Sequence, residues 1–152
     1  MNTNLFALLS GLKEKLPMID RKNEAISKAP VGWHIQHSLM VINTIIYSLE
    51  KSEEKDYKWK FNFLRTFIMT MGKFPRGKVQ SPKSVRPKEA YSLDKLQADF
   101  KTTETNLEKL DVLPKNSFFT HPIFGDLNLK PSIRFLKLHT LHHLRIIRDI
   151  IE

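Results

Sequence analysis

Apolar residues recur at helical spacing along most of the chain. Near the start, leucines follow one another in steps of three and four, which predicts an amphipathic helix over residues 4–16 that ends at Pro17. A second helix is predicted over residues 31–51, and its middle, residues 39–49, is apolar on nearly every side. Such a segment is typical of a helix enclosed by others, so we expect this one to be central.

Aromatic and aliphatic residues from Trp59 onward predict a third helix that ends near Gly72, and we expect its aromatic side chains to pack inward. Ser92 predicts the N-cap of a fourth helix, in which apolar residues repeat in steps of three and four as far as Leu110. The last helix is expected to begin at Asn128, and it extends towards the end of the sequence.

Two longer segments lack helical periodicity. Residues 73–88 hold several prolines, six basic residues and no acidic one, and residues 112–127 form a second irregular segment. No strand-like alternation of apolar and polar residues is evident. The fold class predicted is therefore all-α, a four-helix bundle with an extra loop-rich segment, and residues 1–152 are expected to form one domain.

Composition excludes several kinds of chemistry. The chain has no cysteine, so disulfides, thiolate nucleophiles and cysteine-rich zinc sites are excluded, and any metal must bind His, Asp, Glu or water. No basic region precedes the first apolar residues, and the apolar stretch 38–49 is too short to span a bilayer. We therefore expect a cytoplasmic protein without a membrane partner.

The chain is basic, with 25 Lys and Arg against 16 Asp and Glu. This surplus permits an acidic partner or nucleic acid, but it equally serves solubility. One hypothesis is therefore a non-catalytic binding protein whose 73–88 loop holds an acidic partner or nucleic acid, with nucleic acid the less favoured of the two. The basic residues of that loop are Lys73, Arg76, Lys78, Lys83, Arg86 and Lys88. The sequence leaves the oligomeric state open, a homodimer included.

Histidines supply the candidate chemistry. His139 and His143 lie one turn apart on the inward stripe of the last helix, with Cβ atoms about 5–6 Å apart, a spacing that allows both rings to bind one ion. His37 lies on the central helix and is the candidate to face this pair, whereas His142 points roughly 100° away from it. The alternative is that these histidines are ordinary core or surface residues.

Several segments, taken in order, resemble one known family. The chain from about residue 31 onward is similar to the DinB/YfiT-like superfamily of proposed metalloenzymes, and most similar to a branch of uncharacterised bacterial proteins within it. The similarity is carried by Gly-Trp-His-Ile-Gln-His at 32–37, Gly-Lys-Phe-Pro-Arg-Gly at 72–77 with Ser-Pro-Lys-Ser-Val-Arg-Pro at 81–87, His-Pro-Ile-Phe-Gly-Asp-Leu at 121–127, and His-Thr-Leu-His-His-Leu-Arg at 139–145.

This resemblance implies a four-helix bundle that binds one divalent ion (zinc, nickel, iron or manganese) through His37, His139 and His143. It also implies a metal-dependent thiol transferase or isomerase, or a hydrolase, acting on a small-molecule substrate that the sequence does not identify. One position departs from the family, since Ile146 stands where glutamine is frequent. We expect His34 either to support a ligand or to be solvated, and His121 to fix the shape of its loop.

Overall fold

The computed structural model describes residues 3–77, 81–88 and 90–152. This part of the chain is mostly helical and carries one small two-stranded antiparallel sheet. The elements are α1 (Thr3–Lys13), α2 (Val31–Lys51), α3 (Phe63–Met71), α4 (Leu93–Lys109), β1 (Phe118–His121), β2 (Gly125–Asn128) and α5 (Leu129–Ile151).

The long helix α2 is the centre of the molecule. It packs against both α4 and α5, while α1 lies against α5 and α4 on the far side. Most of the apolar middle of α2 is buried, because helices and the hairpin surround it, although Tyr47 is exposed. Its bounds and its central position are both as predicted, since a helix that is apolar on nearly every side must be covered on nearly every side.

The first and fourth helices also follow the sequence pattern. Leu5, Leu9 and Leu12 are buried on α1, although this helix ends at Lys13 and Leu16 lies in a separate 3₁₀ turn. Ser92 caps α4 as expected, with its hydroxyl accepting a hydrogen bond from the backbone N–H of Lys95 at 3.1 Å. These helices complete the packed framework around α2 and α5.

The prediction of an all-α fold is wrong in one segment, because residues 118–128 form a β-hairpin. Phe119 pairs with Leu127 across the two strands, and both side chains point into the core. Gly125 begins the second strand at a φ of 70°, a left-handed conformation that favours glycine. Four-residue strands are too short to show a clear alternation, which explains why the sequence pattern indicated an irregular segment.

The prediction that the aromatic residues of the third helix pack inward is also wrong. Phe63 is 73% exposed, and Phe67 and Met71 are exposed as well. Trp59 and Phe61, which were expected to belong to this helix, precede its first residue, Phe63, and are also exposed. The helix is attached by its other face. There Arg65 is buried and donates to the carbonyl of Phe124 at 3.1 Å, while Ile68 and Met69 enter the core. The face of α3 that carries the aromatic residues is left uncovered.

Tyr91 fixes the beginning of α2, the helix that carries two of the candidate histidines. Its hydroxyl donates to the carbonyl of Ile19 at 3.1 Å, and its ring lies directly over Gly32. A Cβ at position 32 would come within 2.4 Å of the ring, so only glycine permits this packing.

Among the helices of the described residues, none combines the length and apolar character that crossing a bilayer requires.

Candidate metal centre

Three histidines from α2 and α5 meet at the interface of these helices. One ring nitrogen from each of His37, His139 and His143 lies within 4.8 Å of the other two, and His37 Nε2 is 3.3 Å from His139 Nε2. Tetrahedral zinc with Zn–N bonds of about 2.0–2.1 Å requires ligand nitrogens about 3.3–3.4 Å apart. The spacing of this pair therefore fits a tetrahedral ion, and the third nitrogen is near enough to complete the set.

The ring of His37 is held in one orientation by its surroundings. Its Nδ1–H donates to the carbonyl of Val85 at 2.7 Å, and its ring stacks on Trp33 with centroids 5.0 Å apart. A carbonyl oxygen can only accept, so the proton of the neutral ring lies on Nδ1 and the lone pair lies on Nε2. The nitrogen that faces the other histidines is therefore the one that can bind an ion.

Two side chains in series, His34 and Ser27, orient the ring of His143 through hydrogen bonds. Its Nδ1 lies 3.0 Å from Nδ1 of His34, and Nε2 of His34 lies 2.9 Å from the hydroxyl of Ser27. If His143 Nδ1–H donates to His34, then His34 Nε2–H donates to Ser27, and His143 Nε2 is left with its lone pair. Metal-binding histidines almost always donate their second nitrogen in this way.

His139 is the least supported of the three. Its Nδ1 is buried without a hydrogen-bond partner in the described part of the structure, and its ring stacks on Phe135 with centroids 5.7 Å apart. Within the described residues, a neutral imidazole in this position meets His37, 3.3 Å away, through its own Nε2. A bound ion would give this nitrogen a strong partner and offset part of the cost of burying the ring.

The environment keeps these rings neutral. Burial lowers the pKa of His34 to about 4, with smaller effects from the neighbouring His37 and His142. Burial also holds the pKa values of His139 and His143 well below their ordinary value, and the neighbouring histidines lower them further. The pKa of His37 is likewise lowered by burial, although its bond to Val85 opposes this. Unprotonated nitrogens are what a metal requires.

A cavity of about 570 Å³ opens beside the cluster. Its walls come from α2, α3, α5, the hairpin and the 73–88 loop, which supplies Phe74, Pro82 and Val85. The hydroxyl of Ser81 lies 3.4 Å from Nε2 of His37, so this loop also reaches the histidines. The described residues of the loop thus form part of the cavity wall.

The remaining candidates have different positions. His142 is not part of the three-nitrogen cluster, but it lines the same cavity and its ring contacts Phe74 of the loop. His121 accepts hydrogen bonds from the backbone N–H groups of Ile123 and Phe124 at 3.1 and 3.2 Å, so it fixes its loop as predicted. Ile146 lies in the hydrophobic core.

The described basic residues of the loop differ in their contacts. Arg76 forms an ion pair with Asp149 at 2.7 Å, and Nε of Arg86 donates to the carbonyl of Ser81 at 2.5 Å. The side chains of Lys73, Lys83 and Lys88 are exposed, while Lys78 lies outside the described residues. Within the described residues, two of the loop cations therefore have bonds inside this molecule.

Three of the groups at the centre had no definite role in the sequence-based predictions. His34 is three residues before His37 and so shares a helical face with it, but the sequence left open whether His34 supports a ligand or is solvated. No sequence signal indicates Ser27 or the carbonyl of Val85, because both lie in segments whose sequence lacks helical periodicity.

The chain was compared with family models, curated proteins and solved structures, and none of them matched it.

Proposed function

We propose that this chain is a metal-dependent enzyme of the DinB/YfiT-like kind, which holds one divalent ion on His37, His139 and His143 and acts as a thiol transferase or a hydrolase. The observation that supports it best is the meeting of three ring nitrogens within 4.8 Å of one another, contributed by two helices about a hundred residues apart in sequence. The order of the sequence motifs supports the family.

The surroundings of the three histidines favour a catalytic site over a closed structural one. Structural zinc sites have four protein ligands, whereas catalytic sites have three and keep one position open. Among the described residues the cluster contains three histidines and no fourth His, Asp or Glu ligand. The cavity beside it offers the space that a substrate would need.

A divalent ion in this position would act as a Lewis acid that lowers the pKa of an adjacent thiol or water. The residues of the chain perform the remaining tasks. Val85 and His34 orient two of the ligands, while Phe74 and Phe135 pack against His139 and would shield this side of the cluster from water. Ser81, at 3.4 Å from His37 Nε2, is placed to donate a hydrogen bond to a group bound beside the histidines.

The test is replacement of the native ion by cobalt(II), whose visible absorption reports its geometry and ligands. We expect one cobalt per chain with the strong absorption of a tetrahedral or five-coordinate ion, and a new sulfur-to-cobalt band when a small thiol such as 2-mercaptoethanol is added. The His139→Ala variant is the control and should show neither spectrum. A cobalt spectrum that a thiol leaves unchanged would remove the transferase from the proposal, and the absence of any bound cobalt would remove the enzyme.

A further inference from the structure

We propose that the cavity beside the three histidines binds an amphiphilic anion, a molecule with an extended apolar chain and one acidic group at the histidine end. The position of the acidic group rests on the proposed function, because a bound ion would attract it. The binding of the apolar chain does not, since it depends only on the cavity wall.

Most of the wall of the cavity away from the histidines is apolar, although Thr44, Ser48 and Thr120 also line it. Val41 and Ile45 contribute from α2, and Leu64 and Ile68 from α3. The hairpin adds Phe119 and Phe124. A polar ligand body placed here would lose its contacts with water and find few partners, which is costly, whereas an apolar chain would gain free energy from the transfer out of water.

The charges around the cavity select the sign of the acidic group. None of the described residues that line it is Asp or Glu. A ligand with a positive charge would meet no opposite charge in this part of the wall. An anion would be attracted by an ion on the three histidines, so an acidic group is favoured over an amine.

The entrance is apolar as well. Leu64 and Ile123 both line the cavity and remain 44% and 40% exposed, so they lie where the cavity meets the surface. On α3, the same helix as Leu64, the uncovered aromatic residues Phe63 and Phe67 are stacked with ring centroids 6.3 Å apart. An exposed apolar face of this kind commonly marks a binding surface. Its position beside the cavity suits the approach of an apolar chain.

Straight-chain carboxylates from butanoate to octanoate provide the test, with the alkylamines of equal length as controls, each titrated into the metal-loaded protein by calorimetry. Each added CH₂ should lower Kd about fourfold, the factor that corresponds to about 0.8 kcal/mol of apolar transfer. Octanoate should bind at least tenfold more tightly than octylamine. A Kd independent of chain length, or amines that bind as tightly as the acids, would overturn the proposal.

A matched pair of variants tests the location. Leu64→Glu places a carboxylate in the cavity wall, whereas Thr70→Glu places one on the same helix at an exposed residue that does not line the cavity. We expect octanoate binding to fall at least tenfold in Leu64→Glu and to change less than twofold in Thr70→Glu. Equal effects of the two substitutions would contradict the assignment. Ile123→Glu serves the same purpose if Leu64→Glu does not fold.

The His139→Ala variant separates this proposal from the proposed function. If the metal site is removed, carboxylate binding should weaken for every chain length, but the fourfold gain per CH₂ should persist. Should wild-type protein bind no metal and still show this gain, the cavity proposal stands and the metal proposal fails. If the protein binds metal but its affinity does not increase with each CH₂, the metal proposal stands and the cavity proposal fails.

Discussion

His34 is the most informative position at which to perturb the metal site without touching a ligand. It is 4% exposed. Its Nδ1 lies 3.0 Å from Nδ1 of His143, and its Nε2 lies 2.9 Å from the hydroxyl of Ser27. If an ion draws electron density from His143, the Nδ1–H of that ring becomes a stronger donor, and the lone pair on His34 Nδ1 accepts it. Loss of such an outer partner lowers metal affinity about 10- to 100-fold.

Two substitutions distinguish this hydrogen bond from simple packing. His34→Phe keeps the ring and its volume but removes both nitrogens, and we expect zinc affinity to fall about 10- to 100-fold, which corresponds to about 1.4–2.7 kcal/mol. His34→Asn loses most of the ring but places an amide oxygen near the former position of Nδ1. Its zinc affinity should therefore stay within a few-fold of wild type, although its thermal stability should fall because a cavity is left.

The assay is competition for zinc between the protein and a chromophoric chelator at pH 7.5, with melting curves recorded on the same samples. If His34 contributes only by packing, the order of zinc affinity should be reversed, so that His34→Phe retains zinc and His34→Asn loses it. Equal zinc affinities in the wild type and in His34→Phe would show that the chain from Ser27 to His143 does not support the site.

Further predictions concern the ligands, pH and the basic loop. Zinc at about 100 times its Kd should add about 2.7 kcal/mol of stability and raise Tm by roughly 5–10 °C. In thermal melts this rise should disappear in each of the three ligand variants, His37→Ala, His139→Ala and His143→Ala. A comparable loss in His142→Ala would refute the ligand assignment. Burial lowers the pKa of His34 and His142 to about 4, below the ordinary value of 6.5, so the unfolded chain binds more protons between these values. The free energy of unfolding of the metal-free protein, measured in urea, should therefore be highest above pH 6.5 and fall as pH decreases towards 4; a flat profile over this range would contradict the burial of these rings. Finally, we expect no retention on immobilised DNA or RNA at low salt, and binding that weakens steeply with salt would instead favour the alternative in which the basic loop holds a polyanion.

The main helices and the three central histidines could be predicted because their signals are periodic and local. Leucines in steps of three and four indicate α1 and α4, and an enclosed apolar segment indicates α2. The pair at 139 and 143 shares a face because of helical geometry alone, and His37 meets it because α2 and α5 are neighbours.

The third helix shows why other features could not be predicted. Its sequence is apolar on more than one face, so periodicity alone does not decide which face is covered. The deciding contacts are those of Arg65 with the carbonyls of Phe124 and Asp126, which belong to the hairpin. The four-residue strands show no recognisable alternation in the sequence, so the hairpin that binds Arg65 could not be predicted. Without this partner, the aromatic face of the helix was wrongly expected to be the buried one.

The support of the metal site was hidden for a similar reason. The groups that orient the ligands include a backbone carbonyl at Val85 and a hydroxyl at Ser27, which lie in segments without periodicity. A backbone carbonyl carries no sequence signal, because every residue has one. Only the path of the chain shows which carbonyl reaches a given ring.

Elemental analysis of the purified protein tests the metal site most directly. The three converging nitrogens predict close to one zinc, nickel, iron or manganese per chain, either as isolated or after exposure to these ions and removal of the excess. The double variant His139→Ala, His143→Ala should contain none while keeping its helical circular dichroism. Wild-type protein that contains no metal and takes up none of these ions would contradict the assignment of a metal site to these histidines. A double variant that retains a full equivalent of metal would contradict it as well.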